Sequence, residues 1–243
     1  MNRLASDTPT QIVYESADLE LFAQATNWKA YWSGRLRPYI HGHVVEVGAG
    51  LGTSTEYMCR LDYPQWLCLD PDPAHASRLA QRIESGDLPS FCEAKCGVLT
   101  DLAGDVMADT ILYIDVLEHI DDDRAEMREA AAHLRSGGNV VVLSPAFGFL
   151  YSPFDKAVGH FRRYRKKDIH RLTVPDLQLR KVFYLDSIGF FASLANRLLL
   201  KSTMPSPAQI ALWDRLMIPI SRYADRLFWP LFGKTIVMVW QKV

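Results

Sequence analysis

Between Asp18 and Tyr39 the apolar residues Leu19, Leu21, Phe22, Ala25, Trp28, Tyr31 and Trp32 recur at helical spacing. This predicts an amphipathic helix lying against the rest of the chain. The pattern then changes. His43 to Val47 is a short apolar run stopped by Gly48, which predicts a buried strand. Thr53 to Leu61 reads as a crossover helix and Trp66 to Leu69 as a second strand. Pro71 and Pro73 open a helix over Ala74 to Ile83, since proline is tolerated in a first helical turn. Phe91 to Val98 and Thr110 to Ile114 follow as third and fourth strands. Asp121, Asp122 and Asp123 then begin a helix reaching Leu134, with the charge that a helix N-terminus favours. Ser136-Gly137-Gly138 marks the end of that helix, and Asn139 to Leu143 the fifth strand. Strand and helix patterns alternating over short breaks predict βαβ units and a parallel sheet covered on both faces.

After Ser144 the alternation gives way. Pro145 to Tyr164 is rich in aromatics, glycine and proline and reads as a structured loop or lid. Lys167 to Leu172 is expected as a short helix, Leu177 to Leu185 as a sixth strand and Thr235 to Trp240 as the last. Residues 186–232 are expected to be mostly helical, kinked at Pro219. Ile210, Trp213, Leu216, Met217, Ile220 and Leu227 are expected on one stripe. The resulting layout is a single domain over residues 1–243. It has a loose polar leader (1–17), a helical cover (18–39), a cofactor-binding core (40–144), an acceptor lid with a helical insertion (145–232) and a closing strand (233–243).

Composition narrows the function classes. Apolar residues are 49% and charged residues 23% of the 243, and 27 Lys plus Arg face 28 Asp plus Glu. That balance gives no electrostatic case for nucleic acid. The N-terminus lacks an apolar signal region and no apolar run approaches the ~20 residues that span a bilayer, so a cytoplasmic location is expected. Cys59, Cys68, Cys92 and Cys96 form no CxxC pair. No second Cys/His cluster completes a tetrahedral site, so reduced thiols and no metal are expected.

The densest information lies in Val44-Val45-Glu46-Val47-Gly48-Ala49-Gly50-Leu51-Gly52-Thr53. A buried strand feeds a turn with glycines at alternate positions, which let a ligand approach the main chain closely. The helix that follows offers free N–H groups. A dinucleotide fingerprint would read G-x-G-x-x-G. Here the spacing is G-x-G-x-G with an acid two residues before the first glycine. Glu46 gives an anion nothing, but favours a ligand with a positive centre such as S-adenosylmethionine. Asp70, ending the next strand, can accept hydrogen bonds from both hydroxyls of a ribose; it can also serve as a helix N-cap.

These segments resemble the class I S-adenosylmethionine-dependent methyltransferase family. The likeness runs in order through Glu46 to Gly52, Cys68-Leu69-Asp70-Pro71, Ile114-Asp115-Val116-Leu117-Glu118-His119-Ile120 and Leu134-Arg135-Ser136-Gly137-Gly138. It implies a Rossmann-like seven-stranded, mostly parallel sheet with helices on both faces. The last strand would be antiparallel, with a helical insertion between strands six and seven. It implies a cofactor site of Glu46, Gly48, Ala49, Gly50, Gly52, Asp70, Pro71, Leu99, Thr100, Asp115 and Val116. Gly97 to Thr100 would lie near the adenine, although the Asp that often follows the third strand in the family is absent here. Gly159-His160-Phe161-Arg162-Arg163-Tyr164 resembles a subset of the family acting on small molecules or on glycan and lipid intermediates.

The acceptor is expected beyond the strand ends, against the lid. His160 is expected either as the general base or as a lid anchor through a hydrogen bond, while Asp115 is expected to shape the reaction centre and Tyr164 to contact the acceptor. Arg162 to Lys167 reads either as an anion-holding run or as a solvated helix start in which Arg162 or Arg163 pins the lid through Asp155. The late apolar stripe reads as core, lid or homodimer face, with peripheral membrane contact a weaker reading because Arg215, Arg222 and Arg226 flank it. Two other classes share the turn: an NAD(P)-dependent oxidoreductase, and a non-catalytic domain that keeps the fold.

Overall fold

The computed structural model describes residues 21–59, 63–104, 106–200, 204–228 and 231–243. The expected leader over residues 1–17, the start of the cover helix at 18–20 and the end of the first crossover at 60–61 lie outside them. The first described helix, α1 (Thr26–Leu36), leads to β1 (His43–Val47), α2 (Thr55–Met58), β2 (Gln65–Asp70), α3 (Pro73–Glu84), β3 (Cys92–Cys96) and β4 (Ala108–Ile114). Then come α4 (Asp123–Ala132), β5 (Leu134–Pro145), α5 (Pro153–Ala157), α6 (Ile169–Leu172), β6 (Leu177–Leu185), α7 (Ser187–Ala195), α8 (Pro207–Leu212), α9 (Ile218–Phe228) and β7 (Thr235–Lys242).

The seven strands form one sheet in the order β3-β2-β1-β4-β5-β7-β6. Strands β1 to β5 pair in parallel, and β7 runs antiparallel to both β5 and β6. The expected sheet is therefore present. Because successive side chains point to opposite faces, Val44, Cys68, Leu112, Val141 and Val237 pack one layer with Trp28, Trp32, Leu36 and Trp66. Val45, Val47, Leu69, Ile111, Tyr113 and Val142 pack the other with Met127, Leu134, Tyr164 and Trp240. Chain order reverses between β1 and β4, and a ligand crevice is expected outside the strand ends at that switch point.

Two expectations change. Ser136-Gly137-Gly138 does not end a helix: α4 stops at Ala132, and β5 already begins at Leu134. The glycines sit inside the strand, where pairing skips from Ala108–Leu134 to Thr110–Asn139. Gly137 has φ +83°, and a Cβ on Gly138 would lie 2.9 Å from Arg135 O, so the irregularity needs small residues there.

The single late stripe also divides. Ile210 and Trp213 are buried and Met217 packs on the core, whereas Leu216, Ile220 and Leu227 are exposed. The buried side is completed by Asp214, Ile218, Ser221 and Asp225, three of them polar and so invisible to an apolar pattern. Those polar groups join the insertion to α1. Asp214 accepts the N–H groups of Asn27 and Trp28. Asp225 accepts from Tyr31 Oη and from the N–H groups of Asp186 and Ser187. Asp186 accepts from Trp213 Nε1 and Ser221 Oγ. At Pro219 the helix adjusts upstream by a π turn over Trp213–Met217, with the N–H of Ile218 bonded to Trp213 O. No helix among the described residues is long and apolar enough to cross a membrane.

Candidate active site

The glycine turn leaves β1 at the switch point with Gly48, Gly50 and Gly52 at φ +67°, +56° and +72°. Side chains are disfavoured at all three. At Gly48 a Cβ would also sit 2.6 Å from Val116 Cγ2, because the turns after β1 and β4 press together. Gly50 N–H donates to Asp70 Oδ2 at 2.7 Å and Ala49 N–H to Leu69 O at 2.9 Å, fixing the turn against the end of β2. Asp70 Oδ1 accepts Asp72 N–H at 3.0 Å and lies 3.1 Å from His75 Nδ1. The N-cap of α3 is Asp72, which accepts from Ala74 N–H. Asp70 is thus left facing the turn. Pro71 follows it, exposed.

Glu46 is buried beneath the turn and accepts from Thr55 Oγ1 at 2.8 Å and Trp66 Nε1 at 2.9 Å. Burial pushes its carboxyl up to about 7, against the pull of those two hydrogen bonds. Between the ordinary value of 4.5 and about 7 the folded chain therefore holds a proton that the unfolded chain has released. Stability falls as pH rises through that window, and the deficit is complete above it. Glu46→Gln keeps an acceptor for Thr55 and Trp66 without the charge. The variant is expected to melt above wild type at pH 8 and together with it below pH 4.5; a pH-independent difference in melting temperature would refute this.

Beyond β3, Gly97 N–H bonds Asp70 O, and Val98 N–H bonds Asp101 Oδ2. Leu99 is buried in the core, while Val98 and Thr100 are at the surface. Val98 is thus the exposed apolar side chain at the expected adenine position. Asp115 follows β4 at φ +53°, a left-handed conformation that Asp tolerates better than most residues. Its side chain is open to solvent at the cleft. Desolvation by the surrounding walls pushes its carboxyl up to about 6, opposed by the charges of His160, Lys234, Arg163 and Lys29.

The lid brings its residues to the same place. Phe161 N–H bonds Glu118 O at 2.8 Å, and Arg162 bonds Ile120 O, tying the lid to the turn after β4. His160 Nδ1 lies 2.9 Å from Asp155 Oδ1, its ring is 4.5 Å from that of His119, and its Nε2 is 4.0 Å from Glu118 Oε1. Asp155 also takes Arg163 through two hydrogen bonds, so the expected pinning of the lid by Arg163 is present. Burial drives Glu118 well above the ordinary carboxylate range and His119 down to about 3. Tyr164 has a different place from the one expected. It is 1% exposed, and its hydroxyl lies 3.0 Å from both Leu117 O and Asp123 Oδ2, so it holds the lid to α4 from inside the core.

Three features escaped the sequence reading. Lys29 lies on the buried stripe of α1, four residues after Ala25 and three before Trp32, and burial lowers its ammonium to about 8. Asp115 is among the charges acting on it. The signal was a lone Lys in an apolar helical run. Lys234 faces the same region, its Nζ 4.0 Å from the centre of the Trp213 ring. Glu118, His119 and His160 meet although 41 positions separate the two histidines.

A methyltransferase domain family matches residues 45–140. No curated protein matches the chain. Among solved structures, the geranyl diphosphate C-methyltransferase of Streptomyces coelicolor A3(2), in complex with Mg2+, geranyl diphosphate and S-adenosyl-L-homocysteine, superposes with a TM-score of 0.65 at 13% identity. The match covers 98% of this chain and 86% of that one. The N-methyltransferase NodS of Bradyrhizobium japonicum WM9 gives 0.56 at 14%, covering 90% and 96%. The [4+2]-cyclase SpnF gives 0.61 at 14%, covering 90% and 82%. A fold that also serves a cyclase does not fix the reaction. Residues 45–140 match a methyltransferase domain, and the chain around them is similar in fold to solved S-adenosylmethionine-dependent methyltransferases.

Proposed function

We propose that the chain is an S-adenosylmethionine-dependent methyltransferase acting on a small-molecule or lipid- or sugar-linked acceptor. The observation that carries this reading is the meeting of three elements at the switch point: a turn with three positive-φ glycines, Asp70 bonded into it, and Asp115 directly after the neighbouring β4. These residues suit an adenosyl amino acid. The carboxylate of Asp70 accepts ribose hydroxyls, Val98 and Thr100 border the adenine, and the charge of Asp115 favours a cationic centre. The buried ammonium of Lys29 balances a carboxylate. When bound, the cofactor supplies an electrophilic methyl group on a sulfonium.

The protein's part is to orient and desolvate the acceptor, which is most of what methyl transfer requires. If the Nδ1 proton of His160 is donated to Asp155, Nε2 keeps a lone pair that can take the acceptor's proton. The aromatic residues Phe147, Phe149, Phe190 and Phe191 pack on one another between the lid and α7, an apolar wall suited to a partly apolar acceptor. Calorimetry with S-adenosylmethionine is expected to show one site per chain, with no heat from nicotinamide dinucleotides. Incubation with small-molecule extracts should then yield a product heavier by one methyl group. Binding of a nicotinamide cofactor in place of S-adenosylmethionine would overturn the assignment.

A further inference from the structure

We propose that Glu118, His119 and His160 form a binding site for one divalent transition-metal ion, of the Zn2+ or Co2+ class, at the acceptor end of the cleft. One carboxylate oxygen and two imidazole nitrogens lie within 4.8 Å of one another, drawn from the turn after β4 and from the lid. Glu118 is fully buried. Its Oε2 accepts from Ser144 Oγ at 2.7 Å, while Oε1 has no hydrogen-bond partner and points toward His160 Nε2 at 4.0 Å. That gap is too long for a hydrogen bond. An unsatisfied buried carboxylate oxygen costs folding free energy unless something neutralises it.

The surroundings match those of a metal ligand set. Asp155 holds Nδ1 of His160, the carboxylate–histidine arrangement that orients a ligating imidazole and raises its basicity. Ser144 fixes the carboxylate of Glu118 in the same way. The lid cannot drift, because the Phe161–Glu118 backbone bond and Arg162–Ile120 fasten it beside the first two donors. Metal–ligand bonds of about 2.0–2.2 Å require the three donors to close by roughly 1 Å, a side-chain movement. Two imidazoles and one carboxylate leave a coordination position open, and Asp115 adds negative charge from the same β4 turn. In the methyltransferase reading, on which this role but not the ion's binding depends, the open position takes an acceptor oxygen and acidifies its hydroxyl, replacing His160 as base, since its Nε2 is then a ligand.

The test uses the full chain stripped with a chelator and titrated with Co2+ alone, followed by calorimetry and visible absorption. The expected result is one ion per chain. His119→Ala and Glu118→Gln are expected to weaken binding at least 100-fold, and Asp155→Asn about 10–100-fold. Pulsed electron paramagnetic resonance of the Cu2+-loaded wild type should show two coordinated imidazole nitrogens, which decides the matter even where a variant fails to fold. Substoichiometric uptake, fewer than two imidazoles, or affinity unchanged in both His119→Ala and Glu118→Gln would overturn the site. S-adenosylmethionine titrated separately distinguishes the two proposals, since a chain that binds metal but not that cofactor keeps this site and loses the function proposed above.

Discussion

Replacing Asp70 with alanine is expected to weaken S-adenosylmethionine binding by about 30- to 1,000-fold. A hydrogen bond to a charged acceptor contributes about 1.5–3 kcal/mol. Loss of two ribose bonds, partly offset by water entering the gap, gives about 2–4 kcal/mol, and each 1.4 kcal/mol is tenfold in affinity. The side chain has a second task. Its Oδ2 takes Gly50 N–H at 2.7 Å and its Oδ1 takes Asp72 N–H at 3.0 Å. Alanine therefore also loosens the glycine turn, lowering stability by roughly 1–3 kcal/mol. Calorimetric titration well below the variant's melting temperature separates the two effects. Asp70→Asn sharpens the result, because its amide nitrogen accepts neither Gly50 N–H nor a ribose hydroxyl. A dissociation constant within twofold of wild type in both variants would remove Asp70 from the cofactor site.

Why some of this architecture could be read from residues and some could not has a physical basis. Strand β1 was legible to the residue because an apolar run ends abruptly at Gly48, and β6 because Pro175 and Asp186 bracket it. Both signals are local. The glycine turn was legible for the same reason, since a left-handed turn demands its residue type whatever packs around it.

The start of β5 was not legible. Gly137 and Gly138 serve a skip in pairing with β4, and that depends on a strand more than twenty positions earlier. The buried side of the insertion was hidden because Asp214, Ser221 and Asp225 occupy it, each satisfying groups on α1, α7 or the Asp186 corner. Tyr164 looked like an acceptor contact because it stands in the lid. Only the packed structure shows its hydroxyl against Asp123. Glu118 and His119 were visible as a motif and His160 as a single residue. Their meeting depends on long-range bonds such as Phe161 N–H to Glu118 O and Arg162 to Ile120 O, which no periodicity announces.

That lid also yields the largest stability effect expected here. Asp155→Ala should lower unfolding free energy by about 3–5 kcal/mol, the cost of breaking a buried ion pair from one side. Asp155 is fully buried and accepts from Ser152 N–H and Oγ, from Arg163 Nε and Nη2, and lies 2.9 Å from His160 Nδ1. Burial alone would raise its carboxyl, but the His160 and Arg163 contacts hold it well below the usual range. Alanine strands the Arg163 guanidinium, whose side chain is 7% exposed, and leaves the Ser152 N–H unsatisfied. A domain's whole stability is about 5–15 kcal/mol, so the variant should shift its urea midpoint markedly. The double variant Asp155→Ala/Arg163→Met removes both charges. It should recover roughly 1–3 kcal/mol relative to the sum of the single changes. Additive losses, or a single-variant cost under about 1 kcal/mol, would mean that water reaches the pair and that Arg163 does not pin the lid. In that case His160 would lose the support that fixes its ring at the mouth of the cleft.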